Sequence, residues 1–343
     1  MKALVNRAYG TADVLAVETV EKPSPGENDV LIKVMAASIN RSDWYFLTGT
    51  PFFLRLSPGG LRRPRVIILG GDVAGVVEAV GANVTQFRPG DEVYGDLSES
   101  GRGGFAEYVV APASVLAPKP RNLSFAQAAA LPSAAVTALQ GLRAGDIQAG
   151  QRVLINGASG GVGGYAVQLA KAMGAEVTAV CSSSKVEMAR TLGADHVIDY
   201  SREDFVEDGA QFDLILGVNG YRTLAEYRRA LRPKGVYVAV GGTMKQIFQA
   251  MLLGSFFSGK DGKSLRSMGT AKINQVDLEK IKEIAEAGQI VPVIDAHYPL
   301  EEGRAAMHYF SSGSVRGKVV ITMPETNPQP AQSRALTAQE VSA

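Results

Sequence analysis

Apolar residues change their spacing near residue 120. Before it they come in short runs, cut by glycine or proline about every ten residues, which is the pattern of a small barrel. Val30-Leu31-Ile32-Lys33-Val34 follows the turn residues Pro25-Gly26-Glu27-Asn28-Asp29 and predicts a strand. Residues 72–84 mix aliphatic runs with Gly75 and Gly81, which predicts short, sharply turned strands. Arg88-Pro89-Gly90-Asp91-Glu92-Val93 predicts a turn that leads into another.

Beyond residue 120 the pattern alternates between strand and helix. Ser124 is placed to cap a helix over 125–131, and 134–142 predicts a second. Strands are expected at 152–155, 176–180, 196–198, 212–216 and 235–240, with helices at 162–173, 185–192 and 224–231. Regular alternation of this kind predicts a doubly wound parallel sheet. An amphipathic helix at 277–287, a strand at 291–294, a helix at 301–310 and a strand at 318–323 follow. They either extend the parallel sheet or return to the first unit; periodicity fits both. The stretch 324–343, rich in Pro, Gln, Ser and Ala, predicts a flexible tail.

At 343 residues the chain is long enough for two domains. Its net charge of +1, without a basic run, leaves no electrostatic footprint for nucleic acid. The N-terminus has no apolar stretch of signal-peptide length. The apolar run 247–257 is broken by Gln249, Gly254 and Ser255 and falls short of the ~20 residues of a membrane span. One cysteine, Cys181, excludes an internal disulfide framework and fits a reducing, cytoplasmic location.

The strongest chemical signal lies at residues 152–163, where an apolar strand runs into Ala158-Ser159-Gly160-Gly161-Val162-Gly163 and straight on into a helix. Small residues let backbone approach a pyrophosphate, and the first helical turn turns free N–H groups toward its charge. Gly160 and Gly163 take the second and third glycine positions of the dinucleotide fingerprint, and Ala158 replaces the first. Gly160 is expected to be needed for space and for a backbone conformation that favours glycine.

The second strand of this unit ends in Cys181-Ser182-Ser183-Ser184-Lys185, without the Asp or Glu that would bind a ribose 2′-hydroxyl and repel a 2′-phosphate. Ser182, Ser183 and Lys185 suit a phosphate instead, which predicts NADPH.

Asn40-Arg41-Ser42-Asp43, Gly70-Gly71-Asp72-Val73-Ala74-Gly75, Pro89-Gly90-Asp91-Glu92-Val93 and the turn at 158–163 occur in this order. In this the chain resembles the medium-chain dehydrogenases and reductases over about residues 1–323. The resemblance implies a GroES-like β-barrel catalytic domain from residues 1–120, completed by 270–323, around a Rossmann NADP-binding domain at 121–269. Zinc alcohol dehydrogenases of this family carry ligands where this chain has Asn40, Gly71-Asp72 and Ser133. Those residues make a poor zinc set, and 95–105 lacks the cysteines of a structural zinc lobe. No metal is expected. His196, His297 and His308 are scattered and read as ordinary residues.

The chain is most similar to the zinc-free branch of quinone oxidoreductases and zeta-crystallin. That implies a reductase of quinones or α,β-unsaturated carbonyls acting on a small apolar electrophile. Asn40 and Tyr45 match residues that face the nicotinamide, where an amide and a phenol hydrogen-bond the acceptor oxygen. The alternative is that Asn40 satisfies loop backbone and Tyr45 packs. Asp43 is expected to hold the loop. Thr137 matches a residue at the nicotinamide end, and Tyr200 one that lines the 2′-phosphate pocket. Gly241 and Gly242 close the last parallel strand beside the nicotinamide ribose. Asn219 either touches the cofactor or caps a turn, and Lys318 either reaches the cofactor or is solvated. Trp44 and Phe46 flank the expected site. The competing readings are an enoyl-thioester reductase and a non-catalytic NADPH-binding sensor or interaction protein. A homodimer is the family's habit.

Overall fold

The computed structural model describes residues 1–56, 60–207, 209, 211–219, 222–242, 249–250 and 261–324. The apolar cluster of Phe248, Met251, Leu252, Phe256 and Phe257 and the tail beyond 324 lie outside the described residues.

The first part of the chain forms strands β1 (Lys2–Asn6), β2 (Leu15–Thr19) and β3 (Asp29–Ser38), then helix α1 (Arg41–Thr48). Strands β4 (Asp72–Val80), β5 (Glu92–Asp96), β6 (Tyr108–Pro112) and β7 (Leu116–Pro118) follow. Residues 72–80 are thus one nine-residue strand where short turned strands were expected. Gly75 sits where β4 crosses β3; a Cβ there would lie 2.2 Å from the carbonyl oxygen of Lys33. The aliphatic runs on either side of it pair continuously with β3, with two register shifts.

The central part runs through α2 (Phe125–Ala129), α3 (Pro132–Ala144), β8 (Arg152–Asn156), α4 (Gly161–Ala172) and β9 (Glu176–Cys181). It continues through α5 (Val186–Thr191), β10 (His196–Asp199), β11 (Phe212–Gly217), α6 (Leu224–Ala230), β12 (Leu231–Ala239) and β13 (Ser264–Ser267). These strands form a parallel sheet in the order β10-β9-β8-β11-β12-β13, the doubly wound arrangement with its switch point beside β8. Both faces are covered. Val153 and Ile155 of β8 point into one core, and Leu154 points into the other.

The chain then forms α7 (Gln275–Glu286), β14 (Ile294–Pro299), α8 (Gly303–Ser311) and β15 (Lys318–Thr322). The expected strand at 291–294 begins only at Ile294. β15 pairs antiparallel with β3, and β14 pairs parallel with β15. The last strands therefore return to the first unit and complete the sheet β14-β15-β3-β4-β5-β7, with β6 also paired to β3. Helix α7 packs against both units: Leu278, Ile281, Ile284 and Ala285 lie in the same core as α3 and α4, and the helix also lies against β7.

Candidate active site

The glycine turn divides into parts that serve the chain and a part that faces space. Gly157 adopts φ +95°, and a Cβ there would meet Asn219 at 2.8 Å. The amides of Gly157 and Ala158 both donate to Val180 O at 3.1 Å, which ties the turn to β9. At Gly163 a Cβ would lie 2.0 Å from the carbonyl oxygen of Gly157, so helix and strand pack there only without a side chain. Gly160 is different. Its backbone is ordinary (φ −87°, ψ 177°), which corrects the expectation of a conformation reserved for glycine, and no atom stands within 4 Å of a Cβ built on it. The first intrahelical bond of α4 runs from Gly164 N to Gly160 O. The N–H groups of Gly161, Val162 and Gly163 precede it and have no helical acceptor. Gly160 pairs with Gly317 in a parallel bridge that takes up the Gly161 amide, so the N–H groups of Val162 and Gly163, beside the open space at Gly160, are the ones left for an anion. Gly157 was missed in the sequence, although its place directly after a strand is the signal of a tight turn.

The other expected cofactor residues follow the C-terminal ends of neighbouring parallel strands. Ser182, Ser183 and Lys185 follow β9, Tyr200 follows β10, Asn219 follows β11, and Gly241 and Gly242 follow β12. Lys185 sits in a single 3-10 turn (Ser183–Lys185) ahead of α5, rather than opening one helix as expected. Its ammonium donates to Val315 O at 2.9 Å, and burial, then the neighbouring Arg316, lowers its pKa. The Ser183 hydroxyl donates to Asp199 at the end of β10. So β9 ends without an acid, but a carboxylate from the adjacent strand reaches the same corner. Asp199 also accepts from the Ser201 amide at 3.0 Å and hydroxyl at 2.7 Å, and the Ser183 and Ser201 hydrogen bonds hold its pKa down. Tyr200 beside it is 57% exposed.

Asn40 immediately precedes α1 and is half-buried. The stretch expected to be a loop is this helix, and Asp43 in its first turn fixes it. Its fully buried carboxylate accepts from Asn40 N at 2.8 Å and Gly70 N at 3.1 Å, and pairs with Arg102 at 2.7 Å. Arg102 lies over the ring of Phe46, 4.2 Å from its centroid. Trp44 and Phe46 pack on the core of the antiparallel unit.

The Asn40 side chain meets Asp72 and Lys318. Asp72 Oδ2 accepts from Asn40 Nδ2 at 2.8 Å, Ser38 Oγ at 2.8 Å and Lys318 Nζ at 3.2 Å. Asp72 Oδ1 accepts from Ser133 N, in the first turn of α3, at 2.9 Å. Lys318 also donates to Asn40 Oδ1. This lysine is only 4% exposed; it is neither solvated nor hydrogen-bonded to the glycine turn. Its stem passes close to Gly161, where a Cβ would lie 2.9 Å from Lys318 Cδ, and the preceding Gly317 donates to Ser159 O at 3.1 Å. Asp96, opposite Asp72 in β5, has its pKa pushed up to about 6 by burial and by the charge of Asp72. Arg102, Asp96 and the Lys318–Asp72 pair escaped sequence reasoning.

The three positions where zinc relatives carry ligands therefore converge, but around an ammonium. Asn40 Oδ1 and Asp72 already accept from Lys318, and Ser133 presents a backbone N–H. These donors do not fit zinc, which takes thiolate, imidazole or carboxylate: the one carboxylate among them is already paired with an ammonium. Among the described residues no group of three or more His, Cys, Asp or Glu is arranged to hold a metal. His196 and His308 pair with Glu176 and Asp13 at the surface, each at 3.0 Å, and His297 is exposed. Tyr45 is half-buried on α1, and Thr137 is half-buried on α3.

Comparison with known proteins shows the family. Residues 26–121 match the alcohol dehydrogenase GroES-like domain, and residues 192–321 match the zinc-binding dehydrogenase family. A 2-methylene-furan-3-one reductase of Solanum lycopersicum is 35% identical over 94% of this chain and 79% of its own. An NADPH-dependent alkenal/one oxidoreductase of Arabidopsis thaliana is 33% identical over the same shares. The structure of a quinone oxidoreductase from Coxiella burnetii superposes with a TM-score of 0.83, at 29% identity, over 94% of this chain and 99% of that one. The chain belongs to the medium-chain dehydrogenase/reductase superfamily, in its quinone oxidoreductase branch. It is an oxidoreductase that uses a nicotinamide cofactor. Among the described residues no helix is long and apolar enough to cross a membrane.

Proposed function

We propose that this enzyme is a zinc-free, NADPH-dependent reductase of quinones or α,β-unsaturated carbonyls, acting on a small apolar electrophile. The observation that carries the reading is the contiguity of the glycine turn and Asn40 through Lys318, whose stem passes Gly161 and whose ammonium holds the Asn40 side chain. A polar amide is thereby held beside the turn that would bind the cofactor pyrophosphate. When bound, the cofactor supplies a hydride to an already electrophilic acceptor. Asn40 hydrogen-bonds the acceptor oxygen and stabilises the charge that develops there. Tyr45, on the helix that Asn40 precedes, offers a hydroxyl as a second donor or proton source. The ammonium of Lys318, where relatives of the zinc class hold a metal, supports the zinc-free reading.

Ser159 to Gly163 cradle the pyrophosphate, with Ala158 buried behind them. Thr137, Asn219, Gly241 and Gly242 line the nicotinamide end, and Ser182, Lys185 and Tyr200 the 2′-phosphate end. For the phosphate, Lys185 is favoured over Ser183, whose hydroxyl is spent on Asp199. Exposed Arg316 adds a second cation beside Lys185. Steady-state kinetics with NADPH and NADH against a panel of quinones and enones, with elemental analysis of the same sample, tests the reading. Turnover with NADPH and no stoichiometric zinc is expected. Lys185→Ala is expected to raise the KM for NADPH about tenfold and leave that for NADH nearly unchanged, the size of one lost charge-assisted contact. A preference for NADH, one zinc per chain, or binding of NADPH without turnover of any acceptor would overturn it.

A further inference from the structure

We propose that Lys318 and Asp72 are positioning residues that lock the Asn40 amide in one orientation, so that it presents a fixed N–H donor to substrate. The inference rests on the reading of Asn40 as the acceptor-oxygen partner and goes beyond it, because it fixes what that partner presents and what it selects.

A side-chain amide has one accepting end and one donating end, and in most half-buried sites either can face a ligand. Here the two neighbours leave no choice. An ammonium has donors alone, so the end of Asn40 that meets Lys318 must be Oδ1. An ionised carboxylate has acceptors alone, so the end that meets Asp72, at 2.8 Å, must be Nδ2. Turning the amide over would set its NH₂ against the ammonium and its oxygen against the carboxylate, losing two charge-assisted hydrogen bonds at once. Nδ2 carries two hydrogens, and Asp72 takes one. The second is left for a ligand. Asp72 is itself held by Ser38 Oγ and by the Ser133 amide at the N-terminus of α3, where a negative charge is favoured. Lys318 is in turn confined by burial and by the glycine at 161 that admits its stem. The lock selects ligands that bring a lone pair to this point, such as a carbonyl or quinone oxygen. Its donor strengthens its bond as that oxygen gains negative charge.

The test is a double-mutant cycle on the full-length enzyme with NADPH and a small enone, reading the single-turnover rate, the NADPH Kd and the melting temperature. Lys318→Met is expected to lower the rate about 10- to 100-fold with an NADPH Kd within about twofold of the parent, as for a misplaced oxyanion donor. In the Asn40→Ala background, the same substitution is expected to cost no further rate. A purely structural Lys318 would lower the melting temperature and slow both backgrounds alike. A cofactor-binding Lys318 would raise the NADPH Kd with or without Asn40. Either result overturns the lock. Should Lys318→Met fail to fold because Asp72 is left as a buried, unpaired charge, the paired Lys318→Met/Asp72→Asn variant removes both charges and is read by the same criteria. Wild-type turnover in Asn40→Ala alone would instead refute the Asn40 reading, and so is distinguishable from failure of the lock.

Discussion

A valine at Gly160 separates cofactor binding from folding at the scale of one residue. The backbone there suits any residue and a Cβ meets nothing, so the protein is expected to fold with a melting temperature close to the parent's. The added side chain takes the space before the free amides of α4. NADPH affinity is expected to fall about 100-fold or more, roughly 2.7 kcal/mol, as read by cofactor fluorescence. Gly163→Val is the contrasting case. Its Cβ would collide with backbone at 2.0 Å, and loss of soluble protein is expected. Unchanged NADPH binding in folded Gly160→Val would remove the turn from the cofactor site. The turn was legible because strand, glycines and helix are contiguous. The Asn40 cluster was not, since Lys318 lies 278 residues from Asn40 and 246 from Asp72, and only the return of β15 brings them together.

Asp96 gives a second residue-scale expectation. Burial, then the charge of Asp72, raises its pKa to about 6 from an ordinary value of 3.8, so the folded chain holds a proton that the unfolded chain has released. Folded stability from this group is therefore complete below pH 3.8, declines as pH rises toward 6, and is flat above that. Asp96→Asn is expected to remove this decline, which urea unfolding at pH 4, 5 and 7 would detect. A parent and variant with parallel pH dependences would show that Asp96 titrates normally.

Among elements, those with several turns and one apolar face were read best. The helix expected over 277–287 is observed as Gln275–Glu286, with Leu278, Ile281 and Ile284 inward. The short pieces were harder. α1 spans eight residues whose helical start depends on Asp43 accepting from the Asn40 amide, and β13 has four residues with little apolar pattern. The place of α7 could not be read either, because it depends on contacts with residues far away in the chain. Asp277 accepts from Gln140 at 2.7 Å and Asn274 at 3.0 Å and pairs with Arg143, which joins the start of α7 to α3. Burial pushes the Asp277 pKa up, but these hydrogen bonds outweigh it and leave it below the usual range. Its contribution is thus present above the unfolded value of 3.8 and lost as pH falls below it. Asp277→Ala is expected to cost about 1–3 kcal/mol at pH 7, with less difference from the parent near pH 3. Urea midpoints at the two pH values check both parts. An equal loss at both would mean that shape, and not charge, holds the joint.

At the scale of the whole molecule, each sheet has a core on one face, and the two also share a buried cluster between them. Ala36, Ala74, Tyr94 and Ala117 of the antiparallel sheet lie in one buried cluster with α2, α3, α4 and α7, and Val320 of β15 joins them. Tyr94, fully buried in β5, donates through its hydroxyl to Leu278 O at 2.6 Å, which bonds β5 directly to α7. Gly317 donates to Ser159 O across the same seam, at the glycine turn itself. Residues that melt together share apolar surface that neither unit can bury alone, which makes unfolding cooperative across the seam. One calorimetric transition is therefore expected, although the chain is long enough for two domains. Because a nicotinamide cofactor binds only the folded state, the whole transition should move to higher temperature as NADPH is added, by the equivalent of about 2.7 kcal/mol at 100 times Kd. In Gly160→Val the single transition should remain and the NADPH-dependent shift should vanish. Two resolved transitions, with only one of them moved by NADPH, would show that the units unfold separately and that the shared cluster does not couple them.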